Sequence, residues 1–269
     1  MTGHLPPLFV GHGSPMTLLN RSPARTFLEQ LGQDYERRHG RPRAILCASA
    51  HWETETPEVS GATQPKTIHD FGGFPDELFR LQYKAPGAPD LARRVAELVP
   101  GVRIDPGQGL DHGTWVPLLL MWPKADIPVA QLSIQSHLGP AHHLALGEYL
   151  APLADEGVLV MGSGLLTHNL RALDWNGTGS EADFAWAREF EGWMSDRLVE
   201  DAVEDAVEDL VNYRSRAPHA RMAHPRDEHL LPLYVAMGAG GATREAEPLH
   251  RSFDMGSLSM ASWAFPPAP

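Results

Sequence analysis

The chain has 269 residues, 42% of them hydrophobic, which suits one large α/β domain or two small ones with a sizeable core. Lys plus Arg is 22 against 34 Asp plus Glu, a net charge of -12, and this argues against nucleic acid or an anionic membrane as partner, since both need a basic footprint. The one cysteine, Cys47, excludes an intramolecular disulfide and a thiolate-rich metal site, and fits a reducing, cytoplasmic setting. The N-terminus carries no basic region followed by an apolar stretch, so no signal peptide is expected, and no run approaches bilayer-spanning length.

Leu5 to Val10 reads as a strand that ends in Gly11-His12-Gly13-Ser14-Pro15, where glycines flank a histidine and allow close approach of backbone to a ligand. Ser22 to Arg38 has helical spacing, with Ser22 and Pro23 as start signals. Ala44 to Trp52 is an apolar run that delivers His51 at its end, the pattern of a strand buried on both faces. Such strand ends point into the crevice where open α/β sheets place ligands. Glu58 to Gly61 is a further short strand, and Thr67 to Pro75, with His69, Phe71 and Phe74, suits a loop lining a pocket. Pro89 to Leu98 is a helix and Val102 to Ile104 a short strand.

Asp111-His112-Gly113-Thr114 precedes a helix around Trp115 to Trp122, with Asp111 or Thr114 as cap and His112 at an end that favours anions. Pro128 to Ile134 is a strand, and His142 to Leu153 a helix in which His142 and His143 are ordinary first-turn residues. Gly157 to Met161 is another buried strand, and its exit carries His168 after Gly162-Ser163-Gly164. Ala182 to Tyr213 reads as one long helical region. Its acidic repeat, Glu200 to Asp209, sets an apolar stripe against a solvated acidic face and is given no chemistry. Arg216 to Arg226 is a basic, Pro-containing loop, and Asp227 to Leu233 opens a helix running to about Met237, with His229 at its start and His224 as a near alternative. Leu249 to Phe253 and Ser257 to Trp263 are strand-like.

No internal repeat or linker divides the chain, so residues 1–269 are expected to form a single α/β domain with a central, mainly parallel or mixed β-sheet flanked by helices. Of 14 histidines, His12, His51, His168 and His229 each leave a strand or enter a helix beside a small residue. Three imidazoles with open positions make a site for zinc, iron or a similar divalent ion. The chain lacks His-Glu-x-x-His, a P-loop, Gly-x-Gly-x-x-Gly and the Gly-x-Ser-x-Gly elbow of serine hydrolases.

The ordered set Gly11-His12-Gly13-Ser14-Pro15-Met16, Ser49-Ala50-His51-Trp52, Ile68 to Pro75, Asp111-His112-Gly113, Gly162-Ser163-Gly164 with His168-Asn169-Leu170, Glu228-His229-x-x-Pro232 and Met255 to Met260 resembles the LigB-type (class III) extradiol ring-cleavage dioxygenases, in their 4,5-DOPA-dioxygenase-like branch. The resemblance covers nearly the whole chain except residues 195–222. It implies a divalent metal on His12, His51 and His229, with His168 as a fourth ligand or an acid/base. It also implies His112 as a second acid/base and substrate contact, with His69 and Ser14 at the substrate. The implied cofactor is iron(II) for dioxygenase activity, and zinc suits the same ligands. The implied partners are a catechol and O2, with no nucleic acid and no membrane; oligomerisation is left open. A zinc hydrolase or other non-redox metalloenzyme on the same histidines is the alternative reading, and a non-catalytic binding protein a third.

Overall fold

The structure, a computed structural model, describes residues 4–199, 203–241 and 245–266. Ten strands run in chain order: β1 (Leu8–Gly11), β2 (Ala44–Glu53), β3 (Glu58–Ser60), β4 (Arg103–Asp105), β5 (Val129–Ile134), β6 (Val158–Gly164), β7 (Glu247–His250), β8 (Phe253–Asp254), β9 (Leu258–Ser259) and β10 (Ser262–Ala264). Eight of them form one sheet in the order β4-β3-β5-β2-β6-β1-β10-β7, and β8 pairs with β9 separately. The centre, β5-β2-β6-β1, is parallel throughout, while β10 and β7 extend one side antiparallel. The expected mainly parallel or mixed sheet is therefore what the chain forms.

Period-two alternation divides the side chains of the central strands between two apolar layers. Ile45, Cys47, Leu159 and Met161 pack with Leu28, Leu31, Trp115 and Leu118 on one face. Leu46, Ala48, Val158 and Val160 pack with Leu91, Val95, Leu146, Leu150 and Val235 on the other. The first layer is closed by the helices Pro23–His39 and His112–Met121, and the second by Pro89–Leu98, Gly139–Leu150 and Leu231–Ala239. The last two helices cross at Gly147 and Gly238, where an added Cβ on Gly147 would stand 2.2 Å from the Val235 carbonyl oxygen, so neither position accepts a side chain.

Two boundaries differ from the sequence expectation for local reasons. The helix expected from Trp115 begins at His112, because the Asp111 side chain accepts from Thr114 N–H and caps it there. The region 182–213 is not one helix. A 3-10 turn, Glu181–Phe184, leads into Ala185–Val199, and a second helix, Val203–Val211, folds against it through Arg197 Nε to Asp209 Oδ2, 2.7 Å. Part of the acidic repeat, Glu200 to Ala202, lies outside the described residues, as does the N-terminal segment before His4. The acidic face was expected to be merely solvated. Instead Asp209 sits between Arg197 and Arg216, and Glu208 pairs with Arg216. The basic loop 216–226 contains a single helical turn, Ala220–Ala223. Among the described residues no helix is long and apolar enough to cross a membrane.

Candidate active site

Register places the candidate histidines. β6 lies between β1 and β2, with Val10 and Ser49 both opposite Ser163. His12 leaves β1 one residue past Gly11, and His51 stands near the end of β2, so both imidazoles meet over Ser163 at the carboxyl rim of the parallel strands. The turn 228–230 brings His229 onto the same rim. It can do so because Gly164 lacks a side chain: an added Cβ would lie 2.1 Å from the His229 carbonyl oxygen, to which Leu165 N–H also donates at 2.9 Å. Gly162 does the same beneath Pro232. The Gly-Ser-Gly run is thus a crossing point with a serine aimed to the opposite face.

The ring nitrogens of His12, His51 and His229 form a group with all distances within 4.8 Å, one able to hold a metal ion. Hydrogen bonds behind two of the rings fix how they are presented. The Ser163 hydroxyl donates to the Gly113 carbonyl, so its oxygen accepts from His12 Nδ1–H at 3.0 Å. His229 Nδ1–H donates to the Glu228 carboxylate at 3.1 Å. His51 turns Nδ1 toward Asp70, 3.5 Å away. His12 and His229 therefore carry the proton outward and offer the Nε2 lone pair inward, and His51 turns its Nε2 to the same point. His12 Nε2 and His51 Nε2 lie 3.2 Å apart. Metal–nitrogen bonds of about 2.0–2.1 Å set neighbouring ligand nitrogens about 3 Å apart, which matches this spacing. The donor set fits a divalent metal.

Electrostatics agree with this reading. Burial, then repulsion from the neighbouring histidines, pushes the pKa of His12 and His51 well below the ordinary 6.5. His229 is lowered to about 3, first by burial and then by His168. All are neutral at physiological pH, as metal ligation requires. Glu228 and Asp70 feel desolvation as the largest influence, which raises a carboxyl pKa. The imidazole N–H donors of His168 and His229, and of His112 respectively, outweigh it and hold both groups ionised.

Two further histidines flank the group. His112, the first residue of its helix, is held twice by Asp70: its Nδ1–H donates to Oδ2 at 2.9 Å and its backbone N–H to Oδ1 at 2.9 Å. Its ring centroid lies 3.9 Å from that of His51. His168 stacks on His229 at 3.4 Å and 17°, with Nδ1 3.6 Å from Glu228 Oε1. It groups with Glu228 and His229, and outside the His12–His51–His229 set. His69 is removed from the centre. Its Nε2 faces the Leu81 carbonyl at 3.0 Å, and its ring packs near Phe71, Phe79 and Trp115 in the wall beside His112. Ser14 accepts from Met16 N–H at 3.2 Å and caps a short 3-10 turn, a local role. His224, the alternative to His229, is buried with Nε2 2.7 Å from the Leu166 carbonyl and takes no part in the cluster. His143 is a packing residue, donating to Gly139 O and accepting from Gln135 N–H.

Sequence reasoning had no roles for Asp70, Ser163 and Glu228 as the groups that orient the imidazoles. Each lay in a quoted motif, but nothing in spacing says which ring a carboxylate or hydroxyl faces. A deeper layer was also hidden. Asp111, besides capping its helix, accepts from Ser49 Oγ at 2.7 Å and from the Gln131 amide. Its carboxyl is raised to about 6, chiefly by burial.

An α/β sheet with a histidine centre at its carboxyl rim, backed by carboxylates, defines a metalloenzyme-type site. The family model described as the catalytic LigB subunit of aromatic ring-opening dioxygenase matches residues 1–266, and the chain belongs to that family. It is 45% identical over 96% of its length to the 4,5-DOPA dioxygenase extradiol of Beta vulgaris, covering 95% of that protein. It is 39% identical to the protein of the same name from Escherichia coli (strain K12), over 96% of this chain and 93% of that one. The crystal structure of an uncharacterized protein from Escherichia coli K12 superposes with a TM-score of 0.80 at 35% identity, covering 97% of this chain and 99% of the other. The chain is thus an enzyme of the aromatic ring-opening dioxygenase kind.

Proposed function

We propose that the enzyme is an iron(II)-dependent extradiol dioxygenase that inserts both atoms of O2 into the ring of a DOPA-like catechol, giving a semialdehyde ring-fission product. The observation that carries this reading is the convergence of three neutral imidazoles, His12 and His229 proton-anchored from behind by Ser163 and Glu228 and His51 with Nδ1 toward Asp70. His12, His51 and His229 would hold the metal. A divalent iron there would gather both catechol oxygens and O2 at one centre and supply the electron exchange that zinc, with one stable oxidation state, does not.

The remaining work falls to side chains. Substrate catechol hydroxyls must lose protons, and the later steps need one returned. His112 and His168 stand on opposite sides of the ligand group, beside His51 and His229. Asp70 pins His112 Nδ1–H, so Nε2 is the nitrogen left to take a substrate proton. The ionised Asp70 then stabilises the imidazolium that results. His168 has the same arrangement with Glu228, at a longer distance. We assign both as acid/base residues, His168 in preference to a fourth ligand because it lies outside the three-histidine group. Phe71, with its ring 5.6 Å from that of His112, supplies an aromatic wall for the substrate ring, and His69 stands behind that wall.

The test is anaerobic reconstitution with iron(II), then oxygen uptake and visible absorbance with a panel of catechols. A yellow product with stoichiometric oxygen uptake is expected. No uptake with any catechol, or activity with zinc alone, would overturn the proposal.

A further inference from the structure

Outside the imidazoles, Arg226 occupies an unusual position. It precedes Glu228 by two residues, and Glu53 follows His51 by two, so each stands just beyond a segment that carries a centre residue. Arg226 Nε is 3.5 Å from Glu228 Oε2, an oxygen that is buried and has no hydrogen bond. The guanidinium Nη2 donates to Glu53 Oε1 at 2.8 Å and Oε2 at 3.0 Å. Glu53 also accepts from the Ser136 hydroxyl. The pair bridges the exit of β2 and the 224–229 turn, one contact beyond the carboxylate that orients His229. It faces water, with Arg226 66% and Glu53 37% exposed.

Among the described residues, no other Arg or Lys pairs with either carboxylate of the centre, Asp70 or Glu228. A carboxylate brought close to either of these acidic side chains meets like charge, and Arg226 is the cation that pairs with Glu228. An exposed Arg–Glu pair contributes about 0–1 kcal/mol, so either partner exchanges the other for a ligand group at little cost. A carboxylate matches the planar fork of Arg226. Glu53, still held by Ser136, is then free to receive an ammonium.

We propose that Arg226 and Glu53 form the specificity site for the amino-acid end of the substrate, Arg226 binding its carboxylate and Glu53 its ammonium while the catechol end lies at the histidine centre. This rests on the catechol reading above and adds which residues select among catechols.

The experiment uses zinc-loaded protein, which holds a catechol without oxygenating it, and calorimetric Kd values for L-DOPA, dihydrocaffeate and dopamine, which differ in carboxylate and ammonium. Arg226→Gln is expected to weaken L-DOPA and dihydrocaffeate by about tenfold and to leave dopamine within about twofold, with zinc content unchanged. Glu53→Gln is expected to weaken L-DOPA and dopamine and to spare dihydrocaffeate. Arg226→Lys should recover part of the carboxylate preference. Equal weakening of all three ligands in Arg226→Gln would show a merely structural tie and overturn the proposal, as would no weakening of any. Failure of the unaltered protein to bind any of the three would overturn the catechol reading, and this assignment with it. Binding without oxygen uptake by the iron-loaded protein would overturn the dioxygenase proposal alone.

Discussion

Ser163→Ala tests whether the hydroxyl beneath His12 sets the tautomer of that imidazole and, with it, metal binding. In the native protein the hydroxyl joins two buried groups, accepting from His12 Nδ1–H at 3.0 Å and donating to the Gly113 carbonyl. Ser163 is fully buried and His12 nearly so, at 1% exposure, so water does not substitute freely. Alanine leaves both groups unsatisfied, at roughly 1–3 kcal/mol each in the apoprotein. It also removes the bond that holds the proton on Nδ1. Nε2 then carries the proton for part of the population, and metal binding must work against that tautomer. Losing such an orienting partner typically weakens a site by about 10–100-fold. The assay is a competitive metal titration against a chromophoric chelator, run beside thermal unfolding of the apoprotein. Reduced apoprotein stability together with a metal Kd raised about tenfold or more is expected. A metal Kd within about twofold of the native value, at a normal circular dichroism spectrum, would refute the tautomer argument.

Gly113→Ala places a Cβ 2.6 Å from Ser49 Oγ and 2.8 Å from His51 Cδ2, so the His51 ring must move; metal content measured by mass spectrometry should fall while the fold survives. Gly162→Ala meets the Pro232 carbonyl oxygen at 2.0 Å with only backbone to yield, and it should lower stability by about 3 kcal/mol or prevent soluble expression; an unchanged melting temperature would refute the crossing-point reading. Asp70→Asn keeps the shape but removes the charge that steadies a protonated His112, and should cut kcat by about 10²–10⁴-fold with a smaller change in KM, as read in steady-state oxygen uptake. The apoprotein should be acid-labile. Burial holds His143 and His224 at about 4 and His229 at about 3 when folded, against 6.5 unfolded, so the unfolded chain binds more protons. Their stability is present above pH 6.5 and is lost as pH falls toward the folded values, at up to about 1.4 kcal/mol per pH unit for each group. Asp111, raised to about 6, and Asp254, also raised by burial, act in the opposite sense but are outnumbered by the lowered histidines, so a flat melting profile between about pH 7 and pH 5 would contradict the balance.

What the chain announced and what it concealed follow from the range of the forces involved. An apolar run ending in a histidine is a local pattern, and the preference of parallel strands for a buried position turns it into a location: the carboxyl rim. His12, His51 and the β6 exit were therefore legible without coordinates. The same logic is silent on which side chain faces which, because that depends on register between strands far apart in sequence. Val10 and Ser49 meet Ser163 only through the pairing of β1 and β2 with β6. Asp70 reaches His112 across 42 residues of chain, and Arg226 reaches Glu53 across 173. The failed reading of 182–213 has the same origin. Helical periodicity persists through the repeat, but the packing of Val203–Val211 against Ala185–Val199 rests on tertiary contacts, Leu198 with Leu210 in one apolar cluster and Arg197 with Asp209, which no periodicity carries. The candidate histidines could be placed on the rim from their own neighbourhoods. The groups behind the rings could not: Ser163 reaches His12 across 151 residues, and even Glu228, adjacent to His229, shows its pairing only in the fold. The site is thus specified at two levels, a local one that brings the histidines to the rim and a topological one that orients them.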